Sequence, residues 1–370
     1  MRWSWRIGEF AGIGVYIHAT FFLIILWAGI FSWQVKGTLV DVFAGILFIL
    51  LLFLCVVLHE FGHALTARKY GIKTRDITLL PIGGVARLER MPENPRQELW
   101  VALAGPAVNV AIALLLLLWL LTTAQERTFH LLVSMSDDLV TQLLSMNVML
   151  AAFNLLPAFP MDGGRVVRAL LATRMPYTRA THIAATLGQA FAFVFVFLGL
   201  YLHQPFLILI AFFVWIGATQ EANLVQLKSA LYGIPVSSAM LTNFRVMASR
   251  DTLGDAIRLT LSGTQRDFPV VENGRLVGIL TQDDLLNGLS ELGREVPVGE
   301  VMHTAFEVAS PTDMLQSLFL RMQDSTCDCR TIPVMYQDRL VGLVTKENIG
   351  EFLEIQAALA ESRRPGPRAV

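Results

Sequence analysis

Six stretches of this chain are long and apolar enough to cross a hydrocarbon core, which takes about 20 helical residues. They run over about 15–33, 42–65, 99–121, 139–156, 183–202 and 206–222. In lipid every backbone N–H and C=O must find its partner within the protein, so this part of the sequence can fold only as a bundle of helices. A content of 54% hydrophobic against 16% charged residues agrees, being far outside the range of an ordinary soluble domain.

Orientation follows from the basic residues of the connections. With the N-terminus in the cytoplasm, that side collects Arg2 and Arg6, seven Lys or Arg between 66 and 98, and four between 157 and 182. The opposite side receives only Lys36 and Arg127. Thirteen against two is a strong positive-inside bias and puts both termini in the cytoplasm. Residues 1–9 have no short apolar core followed by a small-residue cleavage site, so the first span reads as a retained anchor. The 66–98 connection is not a plain loop. Residues 72–80 are rich in Ile, Thr and Leu, Pro81 and Gly83-Gly84 punctuate, and an apolar run resumes at Val85. This predicts a β-hairpin at the membrane face with an exposed strand edge beside the second helix, acting either as a plug or as a substrate dock.

Ionisable side chains at membrane depth are costly and demand a reason. Within the spans and the turns that end them the acids are Glu60, Asp162 and, at a helix end, Glu221. Glu60 lies in His59-Glu60-Phe61-Gly62-His63. A spacing of four puts both imidazoles on one helical face, where one Zn²⁺ can bridge them, and Glu60 points about 100° away, toward a water on the metal. Gly62 keeps that surface small. Catalytic zinc takes three protein ligands and keeps one position open. The fourth span descends to the same cytoplasmic level and ends in Asn154-Leu-Leu-Pro157-Ala-Phe-Pro160-Met161-Asp162-Gly163-Gly164. Prolines and glycines around a single carboxylate suit a ligand on unwound chain, although an acid there can also cap the following helix. Asn154 can donate its amide to a developing oxyanion or satisfy broken backbone.

These elements resemble the site-2 protease family of intramembrane metalloproteases. His59–His63 is similar to its zinc-binding helix, Asn154–Gly163 to its Asn-Pro-Asp-Gly element, and Ala104-Gly105-Pro106-Ala107-Val108-Asn109 to a small-residue segment of its third helix. The resemblance implies one zinc per chain on His59, His63 and Asp162, with Glu60 and Asn154 as catalytic residues. It also implies hydrolysis of a peptide bond in or near the transmembrane segment of membrane-protein substrates, that is, regulated intramembrane proteolysis. A CBS-regulated transporter or channel is the rival reading, and it would spread polar residues along several helices instead of gathering them at one depth.

After residue 222 strands alternate with amphipathic helices, and a repeat appears. Val236-Ser-Ser-Ala-Met240 aligns with Val298-Gly-Glu-Val-Met302, 62 residues on, and Phe268–Asp284 aligns with Ile332–Asn348, 64 residues on. The repeat resembles a tandem pair of CBS domains. The resemblance implies ATP or another adenine nucleotide as ligand, with Thr281 and Asp284 contacting phosphate and ribose, and with Thr345 and Asn348 at the same places in the second repeat. Such pairs also offer a route to homo-oligomers.

The expected organisation is therefore a transmembrane metalloprotease domain over 1–222, a linker over 223–235, CBS repeats over 236–292 and 297–356, and a disordered tail over 357–370. The expected fold class is a polytopic α-helical membrane protein with about six transmembrane helices and a small β-hairpin at the cytoplasmic face, followed by a soluble α/β CBS pair. The expected location is a prokaryotic cell membrane with the N-terminus and the CBS domains in the cytoplasm. A charge of −1 gives no basic excess for nucleic acid. Three cysteines (Cys55, Cys327 and Cys329) are too few for a disulfide framework, and Cys327-Asp-Cys329 has no nearby His or Cys to complete a zinc site.

Overall fold

A computed structural model describes residues 3–81, 83–88, 92, 94–123, 139–323 and 330–362. It divides into two units, Met1–Gln226 and Leu227–Val370. Cys327, Cys329 and the segment 363–370 of the expected tail lie outside the described residues, as does Ile82 in the hairpin turn.

The first unit opens with a departure from expectation. The apolar run at 15–33 does not begin as a helix. Strand β1 (Ser4–Phe10) turns through Ala11 and Gly12, both at positive φ (52° and 78°), into antiparallel strand β2 (Ile13–His18). Two left-handed residues in a two-residue loop are the requirement of a type I′ hairpin. Helix α1 (Phe21–Lys36) follows, and Gly37 (φ 74°) closes it by donating its N–H to the Trp33 carbonyl. Thr38 then caps helix α2 (Leu39–Lys69), its side chain accepting from the Asp41 N–H. Gly71 (φ 75°) ends α2 in a Schellman-type turn, with Ile72 N–H reaching the Ala67 carbonyl at 3.2 Å.

Strand β3 (Thr74–Leu80) comes next and pairs in parallel with β2, from Gly14↔Asp76 to Ile17↔Leu79. Strand β4 (Gly83–Leu88) closes the expected hairpin antiparallel to β3. The hairpin is therefore half of a four-stranded sheet of order β1-β2-β3-β4, with β4 at an edge. Parallel strands need a crossover, and the crossover here is the α1–α2 helical pair. The chain thus leaves the sheet and returns to it on the same side of the bundle.

The remaining helices are α3 (Pro95–Thr123), α4 (Leu139–Asn154), α5 (Asp162–Ala172), α6 (Tyr177–Tyr201) and α7 (Pro205–Ala230). Among the described residues four helices, α2, α3, α6 and α7, are long and apolar enough to span a membrane; α1 and α4 are shorter apolar helices. Many large side chains face outward, as with Phe43, Leu115, Phe197 and Phe206, while the contact between α6 and α7 is built of small ones. Ala184, Gly188 and Ala192 of α6 pack toward Ala211, Val214 and Ala218 of α7, and a Cβ on Gly188 would lie 3.2 Å from that of Ala218. Small residues inside and large ones outside is the packing of helices in lipid, where backbone approach replaces the hydrophobic effect as the cohesive force.

In the second unit the repeat is visible as geometry. The first copy holds α8 (Leu253–Ser262), β5 (Phe268–Glu272), β6 (Arg275–Leu280) and α9 (Gln282–Glu291); the second holds α10 (Leu315–Gln323), β7 (Thr331–Tyr336), β8 (Arg339–Thr345) and α11 (Lys346–Ser362). Met247↔Val270 and Ala309↔Val334 are matching parallel bridges in the two copies. The leading segments are exchanged: Leu231 and Val236 are buried with Leu315, Ile332 and Val344 of the second copy, whereas Val298 is buried with Phe268 and Leu280 of the first. The 223–235 stretch, expected as a linker, has regular structure of its own. It is helix as far as Ala230 and core at Leu231.

Candidate metal centre

Helix α2 is apolar along most of its length and packs against α3 and α4, with the start of α5 near its polar end. His59 and His63 lie there, four residues apart and both buried. Their Nε2 atoms approach to 3.1 Å. Asp162 comes from the first turn of α5, and its Oδ2 lies 3.0 Å from His63 Nε2 and 3.3 Å from His59 Nε2. Pro160 and the extended Met161 deliver it, so the carboxylate belongs to a helix start and not to unwound chain, as the prolines and glycines had implied. The glycines act differently as well. A Cβ on Gly163 would lie 2.1 Å from the Leu156 carbonyl oxygen, and one on Gly164 would lie 2.6 Å from the Phe159 nitrogen. Both admit a close backbone crossing, and Gly164 is buried.

The tautomers of the two histidines follow from what faces their Nδ1 atoms. His63 Nδ1 is 2.7 Å from the Val101 backbone oxygen, which can only accept, so His63 carries its proton on Nδ1. His59 Nδ1 is 2.5 Å from Asn109 Oδ1. That amide is oriented by a buried relay: Asn147 Nδ2 donates to the Leu143 carbonyl at 2.8 Å, so Asn147 Oδ1 faces Asn109 Nδ2 at 3.0 Å. Asn109 therefore offers its oxygen to His59, which also carries its proton on Nδ1. Both Nε2 atoms then present lone pairs to each other and to a carboxylate oxygen. Three buried acceptors within about 3 Å repel one another unless a positive charge lies between them. Two ligand atoms of a tetrahedral ion with bonds of about 2.0–2.1 Å stand about 3.3–3.4 Å apart, close to the spacing seen. The donor set and its outer hydrogen bonds fit zinc. Among the described residues this is the cluster of three or more His, Cys, Asp or Glu able to hold a metal ion.

Glu60 faces another way, as its place in the helix requires. It is half-buried, and its Oε2 accepts from the Ala86 N–H of β4 at 3.2 Å. A Cβ on Gly84 would lie 2.9 Å from Glu60 Cγ, so the edge strand is laid directly against this side chain. Arg165 lies 3.6 Å from Asp162 Oδ1, leaving Oδ2 to the histidines. Asn154 is the last residue of α4 and is half-buried.

The buried amides beside the centre are Asn109, which the sequence reading had only as the end of a small-residue segment, and Asn147, which it did not single out. Their signal was there: each is a polar residue inside an otherwise apolar span. Gly62 also differs from expectation. A Cβ on it would meet the Ala104 carbonyl oxygen at 2.7 Å, so it lets α3 approach. The residue that clears space at the imidazoles is Gly105, where a Cβ would lie 2.2 Å from His63 Nε2 and 2.7 Å from His59 Nε2. Gly105→Ala should therefore displace both rings. A shift of about 1 Å at a reacting centre costs on the order of 10²-fold in rate, and co-purified zinc should fall with it, measured by mass spectrometry. Full zinc and activity in this variant would contradict the geometry.

In the second unit Thr281 and Asp284 form the capping box of α9, and Asp284 Oδ2 is also 2.6 Å from His303 Nδ1. Thr345 and Asn348 repeat the pattern at the start of α11, with Thr345 Oγ1 donating to Asn348 Oδ1 at 2.7 Å.

A buried His-His-carboxylate cluster among helices long and apolar enough to span a membrane, with a further carboxylate on the same helix, is the donor set of a membrane-embedded metallohydrolase. Comparison with known proteins makes this specific. The family model for peptidase family M50 matches residues 47–136 and 130–195, and the CBS domain model matches 236–291 and 298–354. A zinc metalloprotease of Methanocaldococcus jannaschii is 33% identical over 356 residues, covering 96% of this chain and 97% of that protein. A CBS domain-containing protein of Bacillus subtilis is 31% identical over 111 residues, 30% of this chain and 78% of its own length. The solved structure of the site-2 protease from Methanocaldococcus jannaschii is 36% identical, with a TM-score of 0.45, and covers 60% of this chain and 95% of that one. The chain belongs to peptidase family M50, the site-2 protease family of intramembrane zinc metalloproteases, and carries a tandem CBS pair.

Proposed function

We propose that the protein hydrolyses a peptide bond in or near the transmembrane segment of membrane-protein substrates, in regulated intramembrane proteolysis, with zinc held by His59, His63 and Asp162. The observation that carries this is the convergence of three oriented acceptors at 3.0–3.3 Å in a buried site. A bound zinc ion would supply Lewis acidity at the scissile carbonyl and lower the pKa of a water. Glu60 removes the water's proton and delivers it to the leaving amine. Its Oε2 is steadied by Ala86 N–H, which leaves Oε1 for the proton. Asn154 stands as a candidate donor to the oxyanion. The end strand β4 lies beside Glu60, which suits a substrate drawn out into an extended strand.

The active side faces the cytoplasm of a prokaryotic cell. The charge count supports this, and the parallel β2–β3 pairing agrees by returning the chain to the side it left. In proteoliposomes, cleavage of a single-span substrate should stop on addition of a zinc chelator and resume with added zinc. Cleavage that persists in chelator at zero bound metal would overturn the proposal.

Adenine nucleotide, ATP or a relative, is the proposed regulator, bound at Thr281 and Asp284 and at Thr345 and Asn348, and CBS pairing is a proposed route to homo-oligomers. A ligand shifts activity only by its difference in affinity between two states. Asp284→Ala should weaken nucleotide binding about tenfold or more and remove the rate response, while leaving zinc content unchanged. Thr281 remains as the cap in this variant, which loses from the capping box only the reciprocal hydrogen bond that Asp284 accepts from the Thr281 N–H. Calorimetric titration that finds no adenine-nucleotide affinity in the intact chain would sink this part.

A further inference from the structure

Arg168 is the largest of the fully buried side chains, at 1% exposure, and the chemistry described so far does not use it. It lies on α5, six residues beyond Asp162. Its Nε donates to Glu98 Oε1 at 2.7 Å, and its Nη2 lies 2.5 Å from the same oxygen as an ion pair without hydrogen-bond geometry. The guanidinium therefore holds Glu98 by one hydrogen bond and by charge, with Glu98 Oε2 left unpartnered among the described residues. Nη1 donates to Glu221 Oε1 of α7 at 2.5 Å. The guanidinium carbon lies over the rings of Phe159 and Tyr177, 4.9 and 5.0 Å from their centroids, and the Tyr177 hydroxyl donates to Glu98 Oε1 at 3.3 Å. Burying a cation and an acid at this depth is expensive, and the arrangement commits residues of α3, α5, α6 and α7 together with Phe159 to one point.

The place of Glu98 on α3 gives that point its meaning. Glu98, Val101, Gly105 and Asn109 recur at helical spacing on one buried face. In that order they grip Arg168, accept from His63, make room for both imidazoles and accept from His59. One face of one helix therefore orients both histidines and also holds the helix that carries Asp162. We infer that the Glu98–Arg168 pair is a positioning clamp that registers Asp162 against the two histidines, with α3 as the common template and Glu221 as a brace from α7. The inference rests on His59, His63 and Asp162 being the zinc ligands.

The test is the rate at which full-length, detergent-solubilised protein releases zinc to excess chelator, together with thermal unfolding of the metal-stripped protein. Removing one partner strands a buried charge, so the informative variant is the neutral pair Glu98→Gln with Arg168→Met, of similar volume. It should release zinc at least about tenfold faster than wild type while the stripped protein unfolds at an unchanged temperature, a combination that a purely structural ion pair would not produce. Arg168→Lys keeps the charge but loses the planar fork and its place over the two rings, and its release rate should lie between the two. A folded double variant that holds zinc as firmly as wild type overturns the clamp. Should the double variant fail to fold, Glu221→Gln, at the more exposed arm, must still speed release severalfold; an unchanged rate there overturns it too. Wild-type protein that binds no zinc sinks the ligand assignment itself, and the clamp with it.

Discussion

Glu60→Gln should retain its zinc and lose cleavage by about 10²–10⁴-fold, the usual contribution of a general base. The substitution is nearly isosteric and leaves His59, His63 and Asp162 untouched. The amide oxygen can still accept from Ala86 N–H, so the side chain keeps its hold on β4. What it loses is the capacity to take a proton from water. The paired measurement is zinc per chain and single-turnover cleavage of a transmembrane substrate on the same preparation. If zinc and activity vanish together, Glu60 holds the metal or the fold; if both survive, the base lies elsewhere.

Asp162→Ala should have the opposite signature, losing metal and activity together. Outer-shell partners of a metal site are worth about 10–100-fold in affinity, so removal of a ligand should exceed that range. The loss should also exceed that of Asn109→Ala, which takes away only the partner of His59 Nδ1. Competition with a chromophoric zinc chelator ranks the two. A smaller effect for Asp162→Ala than for Asn109→Ala would remove Asp162 from the ligand set.

The centre was legible because its parts are rare. His59, Glu60 and His63 form a local pattern whose geometry a helix fixes, and Asp162 is one of few acids at membrane depth. What escaped depends on contacts far apart in the chain. Ile13–His18 joins an apolar run and reads as the start of a span; its pairing with β1 on one side and with β3, more than 50 residues away, on the other makes it a strand. Glu98 fell one residue outside the third span as read from hydropathy, although α3 begins at Pro95 and buries it completely. Arg168 counted toward the positive charge of the cytoplasmic side, and nothing local marks it as buried. Asp162 starts a helix because Pro160 and an extended Met161 set up its first turn, yet Gly163 and Gly164 disguise that turn as a loop. The repeat in the second unit was plain in sequence, whereas the exchange of Val236 and Val298 between its halves follows from three-dimensional packing alone.

X-ray absorption at the zinc edge of the purified full-length protein tests the central assignment most directly. A first shell of nitrogen and oxygen alone at about 2.0–2.1 Å, with two imidazoles in wild type and loss of bound zinc in His63→Ala, is the predicted result. A sulfur shell, or zinc retained with an unchanged first shell in His63→Ala, would place the metal elsewhere and contradict the account.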